Sequence, residues 1–492
     1  MIPRPTRLYE AVTAAMDAAP EATVATLRER RTFAELRADA ARRADLLDAV
    51  APRGGSRVLI ALANHPDYIA TLLAVWSRTD LPILADPSLG PAEIDTLVDG
   101  CGIDAIVRAP GTEAAGTGAI SVALDERQLA VATGFTGERP ELAADTELGR
   151  LTSGSTRAPA CIEFSAEAVT NAARTWAQAS GLRPADLSLC FAGLYNGLAF
   201  NTTLMPSLFT GASLVLPGGM PSGGAIMRHV TTFRPSILVA FPAAYERLTD
   251  YTLGSLAEPT AEALRGLRLR LSSAAPLSAA VAEHVAHLSG PISDYYGIAE
   301  TGPVTFADGT RPEGKGMLLP GVTVDVRPRP DGAQVLHVRT ASMGTRYLNC
   351  PGEFERAIAE DGSYRTSDTG TVRDGELFLT GRAQPILNIG GRKFTVESVT
   401  DAIGAHPEVT DCRVMALTTP SGRECVGAAV QARSALEPAT LRAFLRERLA
   451  DYKVPEVIVV GDLPRGATGK VKAEAVRELL TTSFQQPVTG GR

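Results

Sequence analysis

The stretch VLIALANHPDYIATLLAVWSRTDLPIL, residues 58–84, decides the fold class. It contains two short apolar runs, at 58–62 and 81–84, and a segment with helical character between them at 68–77. Continuously apolar strands that are joined by a helix are typical of a parallel sheet covered by helices on both faces. The sequence therefore predicts an α/β fold.

The same alternation continues along the chain. Thr32 and Glu35 have the spacing of a capping box, which predicts that a helix begins here. Further apolar runs, typical of buried strands, lie at 213–216 and 237–240. We therefore predict a large α/β domain over residues 1–382, with parallel sheets covered by helices.

Residues 383–492 have a different pattern, which predicts a small α+β domain. The predicted elements are a helix at 394–406, strands at 412–417 and 425–431, a helix that begins at Pro438, and a strand at 457–460. A glycine-rich loop and a last helix complete this domain.

Composition and charge argue against several classes of protein. A chain of 492 residues is too long for one ordinary core, and 45% hydrophobic with 21% charged residues is typical of globular proteins. The net charge of −7 argues against the basic face of a nucleic-acid binder and against a polybasic membrane anchor. The six cysteines form no CxxC pair, and no apolar run resembles a signal peptide or a membrane span. We therefore expect a cytoplasmic protein with reduced thiols.

Residues 151–160, LTSGSTRAPA, form a segment that is rich in hydroxyl groups. Such a segment exposes backbone N–H groups that can hold phosphate oxygens. It lacks the lysine and the spacing of a Walker P-loop. Taken alone, it fits either a phosphate loop or an ordinary surface loop.

Residues 295–301, YYGIAET, place Glu300 after a strand-like stretch that begins at Pro291. A carboxylate just beyond a strand end lies where open α/β sheets bind ligands. Glu300 can therefore hold a magnesium ion that bridges phosphates. The alternative is a solvated glutamate in a loop.

Residues 364–368, YRTSD, end on Asp368, which we expect in a loop, and Arg382 follows further along. A loop aspartate can accept both hydroxyls of a ribose, and an arginine near it can reach phosphate. Taken singly, both residues are ordinary surface charges.

Residues 463–472, LPRGATGKVK, hold Lys470 next to glycine. A lysine at the end of such a loop can deliver one positive charge to a defined place. Taken alone, it is an ordinary exposed lysine.

Taken in order, these four segments resemble the acyl-adenylate-forming, or AMP-binding, superfamily. This group comprises acyl-CoA synthetases, peptide-synthetase adenylation domains and luciferases. The resemblance covers nearly the whole chain, including Asn64 to Pro66 near the start and 381–400 near the domain boundary. It implies that the C-terminal domain is a mobile lid, which rotates about a hinge at Gln384.

The resemblance also implies a role for each matching residue. Lys470, Glu300 and Arg382 match catalytic positions, and Glu300 matches the metal ligand. The nucleotide-binding positions are Thr152, Ser153, Gly154, Ser155, Thr156, Arg157, Ser273, Ala274, Ala275, Tyr296, Gly297, Asp368 and Arg382. The acid pocket is expected at Tyr195, Asn196, Gly197, Asn201, Phe241 and Thr301.

The chain departs from the family pattern at the phosphate loop. Arg157 and Ala160 occupy positions where the family usually has glycine and lysine, and Arg157 either replaces the lost charge or points to solvent. Glu300, Asp368, Arg382 and Lys470 are all retained. We therefore favour an active enzyme over an inactive nucleotide-binding relative.

The resemblance implies a stand-alone, ATP- and Mg²⁺-dependent ligase that forms AMP. It adenylates an acid and transfers it to a thiol, either that of CoA or the phosphopantetheine of a separate carrier protein. Two asparagines and two aromatic rings in the pocket suit a small aromatic or polar acid better than a long acyl chain. The alternative is formation of a nitrogen bond, either by an amide ligase or by a diazotase that activates nitrite for an aryl amine.

Overall fold

The structure is a computed structural model that describes residues 6–111, 120–152, 159–219, 221–254, 258–273, 277–310, 314–328, 334–382, 386–389, 392–419, 423–464 and 473–485. The chain forms two compact units. The larger unit contains residues 1–87, 98–152 and 161–384, and the smaller contains residues 88–97, 153–160 and 385–492.

The helices of the described residues are α1 (Arg7–Ala18), α2 (Phe33–Leu47), α3 (Pro66–Ser77), α4 (Pro91–Cys101), α5 (Ala166–Ser180), α6 (Gly197–Ala199), α7 (Met205–Thr210), α8 (Gly223–Phe233), α9 (Pro242–Thr252), α10 (Glu258–Arg265), α11 (Ala279–Ser289), α12 (Val396–Gly404), α13 (Pro438–Arg446) and α14 (Ala473–Gln485). A π-helix spans Phe200–Leu204, and short 3₁₀ helices span Glu355–Ala357 and Asp451–Lys453.

The strands of the described residues are β1 (Thr23–Ala25), β2 (Arg30–Thr32), β3 (Arg57–Ala61), β4 (Leu81–Leu84), β5 (Ala105–Arg108), β6 (Ser121–Ala123), β7 (Leu129–Ala132), β8 (Thr146–Leu151), β9 (Cys161–Ser165), β10 (Leu187–Cys190), β11 (Ser213–Val215), β12 (Ile237–Ala240), β13 (Leu269–Ser272), β14 (Ser293–Ile298), β15 (Gly302–Ala307), β16 (Met317–Leu318), β17 (Thr323–Pro328), β18 (Gln334–Arg339), β19 (Tyr364–Arg373), β20 (Glu376–Arg382), β21 (Ile386–Ile389), β22 (Arg392–Thr395), β23 (Val409–Thr418), β24 (Glu424–Ala432) and β25 (Val457–Val460).

The stretch that predicted the α/β class forms β3, α3 and β4, as expected. The two strands pair parallel, and α3 is buried from Pro66 to Trp76. A helix that is apolar all round belongs inside a large protein rather than on its surface. The predicted capping box of α2 is also present, because the Glu35 N–H donates to Thr32 Oγ1 and the Thr32 N–H donates to Glu35 Oε2.

The larger unit contains two mixed sheets, so the predicted parallel sheets have antiparallel additions. One sheet has the order β6-β7-β5-β3-β4-β8-β9, with parallel strands from β5 to β8 at its centre. The other has the order β17-β18-β19-β20-β16-β15-β14-β13-β12-β10-β11-β1-β2. Its strands from β14 to β1 are parallel, and those from β14 to β17 pair antiparallel.

The smaller unit is an α+β structure, in agreement with its predicted class. Its three-stranded sheet has the order β23-β24-β25, and β21 and β22 form a separate two-stranded sheet. Buried apolar side chains of α12 and α13, including Val399, Ile403, Leu441 and Leu445, pack with Val426 of β24. No helix in the described residues has both the length and the apolar character of a membrane span.

Three predictions of local structure are wrong. Phe394 lies in β22, and α12 begins only at Val396, because Thr395 Oγ1 caps it by accepting from the Ser398 N–H. Tyr295 belongs to β14 itself rather than to the segment after it, since it pairs with Phe306 of β15. Asp368 lies inside β19, because the reversal to β20 comes later, at residues 374–375.

Candidate active site

Glu300 lies in the short connection between β14 and β15. The next glycine, Gly302, has φ of +70°, a left-handed conformation that side chains disfavour. The Glu300 carbonyl accepts a hydrogen bond from the Gly344 N–H at 2.8 Å, which fixes the backbone of the connection. The glutamate is half-buried. The predicted metal ligand is therefore held on a tight hairpin rather than on a loose loop.

Tyr347 holds the Glu300 carboxylate, and a second tyrosine lies beside Tyr347. Tyr347 Oη donates to Glu300 Oε1 at 2.7 Å, and the hydroxyls of Tyr347 and Tyr364 lie 3.2 Å apart. Burial and then the charge of Glu300 raise the pKa of both tyrosines, so both hydroxyls stay protonated at neutral pH. Sequence analysis missed the contact of Tyr347 with Glu300, because no local motif marks Tyr347 and the two residues lie far apart in the chain.

The structure brings together Tyr296 and Asp368, two of the predicted nucleotide-binding residues. Tyr296 Oη donates to Asp368 Oδ2 at 2.7 Å, and both residues are buried. The Asp368 N–H donates to Thr366 Oγ1 at 3.0 Å. Asp368 also lies opposite Arg382 in the β19–β20 ladder. Strand pairing thus places Asp368 opposite Arg382, and the Tyr296 hydroxyl reaches Asp368 from β14.

Gly297 and Ser273 shape the same region through the backbone. A Cβ at Gly297 would lie 2.5 Å from the Gly302 carbonyl oxygen and 2.8 Å from the Tyr295 hydroxyl, so the hairpin requires glycine there. Ser273 Oγ donates to the Tyr295 carbonyl at 2.5 Å, which ties the end of β13 to β14. Both residues therefore position the strand that contains Tyr296.

The predicted acid pocket begins where β10 ends, in the segment 191–196. Asn64 holds this segment, because its Nδ2 donates to the Ala192 carbonyl and its Oδ1 accepts from the Leu194 N–H, each at 2.8 Å. Asn196 Oδ1 accepts from the Leu198 N–H at 2.9 Å and caps α6. The side chain of Asn196 is therefore hydrogen-bonded to the backbone.

Asn201 has a different environment. It lies in the π-helix that follows α6, an irregularity that is common at functional sites. It is buried, and its Oδ1 accepts from Arg150 Nη1 at 3.4 Å. Phe241 and Thr301 are buried as well. The neighbouring Tyr195 and Gly197 are half-buried.

Arg150 is a residue of this region that sequence analysis missed. It lies in β8, two residues before Thr152, and it is 4% exposed. Burial lowers its pKa to about 10, so the guanidinium remains charged at neutral pH. The available signal was an arginine inside the segment Leu148–Leu151, at the end of a strand that pairs with the buried β4.

Several predicted site residues lie outside the described residues: Ser153, Gly154, Ser155, Thr156, Arg157, Ala274, Ala275, Gln384 and Lys470. For Arg382 the structure gives the strand position but not the side chain. Their roles stay predictions.

A second cluster of candidate metal ligands, Glu29, His65 and Asp67, lies elsewhere in the larger unit. His65 contacts Asp67 at 2.8 Å and Glu29 at 3.2 Å. Arg31 and Arg43 contact Asp67 at 3.4 and 3.3 Å. Because guanidinium groups already supply positive charge here, the cluster is an ion-pair network, and Glu300 remains the magnesium candidate.

Comparison with known proteins identifies the family. The AMP-binding enzyme family matches residues 12–348, and the AMP-binding enzyme C-terminal domain matches residues 398–470. The chain belongs to the AMP-binding enzyme family. It is therefore an adenylate-forming ligase of the acyl-CoA synthetase type, as the order of motifs predicted.

Curated relatives agree with this assignment, and a solved structure shares the fold. Feruloyl-CoA synthase of Amycolatopsis sp is 28% identical over 474 residues, which cover 91% of this chain and 93% of the relative. The 3-hydroxybenzoate–CoA ligase of Aromatoleum sp. (strain CIB) is 25% identical over 485 residues, 91% of each chain. The amide bond synthetase McbA of Marinactinospora thermotolerans shares the fold, with a TM-score of 0.79, 22% identity, and coverage of 95% and 99%.

Proposed function

We propose that the protein uses ATP to adenylate a small carboxylic acid and then transfers the acyl group to the thiol of CoA. The observation that carries the proposal is the β14–β15 hairpin that holds Glu300 and Tyr296. Glu300 accepts a hydrogen bond from the Tyr347 hydroxyl, and the Tyr296 hydroxyl donates one to Asp368, each at 2.7 Å. Preorganised groups of this kind can hold a metal ion and the ribose hydroxyls of a nucleotide without having to reorganise during the reaction.

In the first half-reaction, a carboxylate oxygen of the acid attacks the α-phosphorus of ATP, and the bond to pyrophosphate breaks. Two anions must approach each other, so positive charge has to offset their repulsion. Lys470 is proposed to supply one such charge at the α-phosphate. Asp368 is proposed to hold the ribose, and Tyr296 keeps its carboxylate in place.

A magnesium ion fits the donor chemistry at Glu300. The ion prefers carboxylate oxygen, usually through one or two carboxylates together with substrate phosphates and water. Tyr347 holds Oε1 of the half-buried Glu300, which orients the carboxylate. When bound, the ion supplies charge that neutralises the phosphates. The contribution of the protein is to fix this carboxylate on a rigid hairpin.

In the second half-reaction, the CoA sulfur attacks the carbonyl carbon of the acyl adenylate, and AMP leaves with the bonding electron pair. The thiol proton passes to solvent. A swing of the C-terminal domain about Gln384 would withdraw Lys470 between the two steps, so that one site serves both reactions. The proposed lid is residues 383–492.

Aromatic acids are the first substrates to test, because the two relatives are named for feruloyl and 3-hydroxybenzoyl transfer to CoA. The half-buried Tyr195 and buried Phe241 supply aromatic surface in the predicted pocket. Transfer to an amine is the second candidate, since the similarly folded McbA is an amide bond synthetase.

The test is ATP–pyrophosphate exchange with Mg²⁺ and a panel of aromatic monocarboxylates, aliphatic acids and nitrite, followed by mass spectrometry with CoA or an amine as acceptor. We expect exchange with a carboxylic acid, a thioester product with CoA, and loss of exchange in Lys470→Ala. Exchange only with nitrite would replace the proposal by diazotase chemistry. An amide without a thioester would change the acceptor. ATP binding without exchange for any acid would indicate an inactive relative.

A further inference from the structure

Arg150 is a buried cation on the strand that leads to Thr152. Its guanidinium carbon lies 5.5 Å from the centre of the Phe164 ring and 4.7 Å from that of Phe200. Its hydrogen bond to Asn201 is long, at 3.4 Å, and its Nε is buried without a hydrogen-bond partner. Among the residues that the structure describes, Arg150 forms no ion pair with a carboxylate.

Two other buried arginines of the larger unit form ion pairs with carboxylates. Arg43, 1% exposed, engages the carboxylates of Asp39 and Asp125. Arg78, 2% exposed, contacts Asp80 at 2.6 Å. A buried cation without a counter-ion is costly, and proteins normally pair one or replace it. Arg57 and Arg270, which are also buried, form no ion pair with a carboxylate among the described residues, but each donates to several backbone carbonyls. Arg150 differs from all four because its one hydrogen bond in the described structure is the long contact with Asn201.

A second unused donor belongs to the same buried region as Arg150. The Tyr68 hydroxyl is fully buried and has no hydrogen-bond partner, and Tyr68 lies in the same core cluster as Phe164 and Phe200, the two rings next to Arg150. Burial raises the pKa of Tyr68, whereas the charge of Arg150 acts in the opposite direction. The hydroxyl thus stays protonated and able to donate. Buried polar groups are normally hydrogen-bonded, and two orphans together call for an explanation.

Arg150 adjoins the predicted acid pocket. A Cβ at Gly197 would lie 2.8 Å from Arg150 Nη2, so glycine leaves the room that the guanidinium occupies. Asn201 touches Arg150 on one side and hydrogen-bonds the Tyr295 side chain on the other. The positive charge therefore sits within the set of residues expected to contact the acid.

We propose that Arg150 and Tyr68 form a subsite for a second carboxylate, and that the substrate is a small dicarboxylic acid. One carboxylate is adenylated, and the other exchanges for the long Asn201 contact and pairs with the guanidinium. A planar guanidinium matches a carboxylate with two parallel hydrogen bonds, and Tyr68 adds a third donor. The ion pair then compensates the buried charge. This inference rests on the proposed function, whose acid it specifies.

The test is ATP–pyrophosphate exchange with two pairs of acids matched in size, succinate with butyrate and terephthalate with benzoate. We expect wild-type kcat/KM to favour the dicarboxylate of at least one pair by about tenfold or more. Arg150→Met keeps an unbranched, flexible side chain but removes the charge, and its loss of kcat/KM should be at least tenfold larger for the dicarboxylate than for its partner. Arg228→Met, at an exposed site, is the matched control.

Tyr68→Phe and Gly197→Ala keep the proposal testable if Arg150→Met does not fold. Tyr68→Phe removes a hydroxyl that makes no protein hydrogen bond, so folding is preserved while the dicarboxylate preference falls. Gly197→Ala displaces the guanidinium and should lower the same preference. An equal loss for both acids of each pair in these variants, or a wild-type preference for the monocarboxylates, would overturn the subsite.

Equilibrium binding of the preferred dicarboxylate, followed by thermal shift, separates the two proposals. Binding that Arg150→Met abolishes, without exchange for any acid, would leave the subsite standing and overturn the proposed function. Exchange with monocarboxylates, without binding or exchange of any dicarboxylate, would leave the proposed function standing and overturn the subsite. Failure of every acid in both measurements would overturn both.

Discussion

Two groups of buried polar side chains lie in the larger unit, and the protein satisfies them to different degrees. On the hairpin side, Tyr296 is bonded to Asp368 and Tyr347 to Glu300, each at 2.7 Å. On the other side, Tyr68 Oη and Arg150 Nε have no hydrogen-bond partner. In the first group, the polar side chains hydrogen-bond to one another. The second group has hydrogen-bonding capacity left for a ligand, which is why it carries information about the substrate.

The largest effect is expected from Glu300→Gln. Removing the carboxylate charge while keeping the shape should lower kcat for pyrophosphate exchange by about 10²–10³, as losses of single electrostatic contacts do in other active sites. Initial rates at saturating acid and varied Mg²⁺ and ATP measure the effect. Glu360→Gln, at an exposed site, is the control. A change below about threefold would show that Glu300 has no part in adenylation.

A smaller effect is expected from Tyr296→Phe, which leaves Asp368 without its hydroxyl donor. Loss of one charge-assisted hydrogen bond of about 1.4 kcal/mol corresponds to a tenfold rise in KM for ATP. Titration of ATP at fixed acid measures it. Tyr251→Phe changes the same group at an exposed position and should leave KM unchanged. A rise in KM for the acid alone would place Tyr296 in the acid pocket instead.

Two matched substitutions compare the satisfied and the unsatisfied tyrosines directly. Tyr347→Phe removes a bond to a carboxylate and should cost about 1.5–3 kcal/mol of stability. Tyr68→Phe removes an orphaned buried hydroxyl, so we expect no loss, or a gain of up to about 1 kcal/mol. Denaturant unfolding of the ligand-free protein measures both. An equal loss in the two variants would mean that the Tyr68 hydroxyl has a partner in solution.

The smallest effect is a difference in alkaline stability. Burial raises the pKa of Tyr68 above its usual value of 10, so the folded state holds this proton more tightly than the unfolded chain. Tyrosine ionisation has no effect while both states are protonated, and above about pH 10 the unfolded state alone loses the proton. Stability should then fall by up to about 1.4 kcal/mol per pH unit for this residue.

Unfolding of wild-type protein and Tyr68→Phe at pH 9.0 and 10.5 measures this contribution, because the variant lacks the group. The fall in stability between the two pH values should be smaller in Tyr68→Phe than in the wild type. Identical falls would mean that Tyr68 is solvated in the folded protein.

The sequence alone determined the family and several elements of each domain. The buried runs at 58–62 and 81–84 gave a parallel sheet with α3 between its strands, and strands at 237–240 and 457–460 were predicted at their observed bounds. These signals are local, because burial and helix capping act on neighbouring residues. The order of the four motifs could also be recognised from the sequence, since it requires no knowledge of contacts.

Only the tertiary structure decided what surrounds each candidate residue. Asp368 was expected in a loop, but strand pairing over residues 364–382 placed it in β19 under the Tyr296 hydroxyl. Tyr347 hydrogen-bonds to Glu300, which lies 47 residues away in the sequence, and Arg150 contacts Asn201, which lies 51 residues away. Composition and periodicity cannot reveal such contacts, because they arise from the packing of segments that are distant in the sequence. Local pattern thus determined which elements form, and long-range packing decided which polar groups are satisfied and which are left for a ligand.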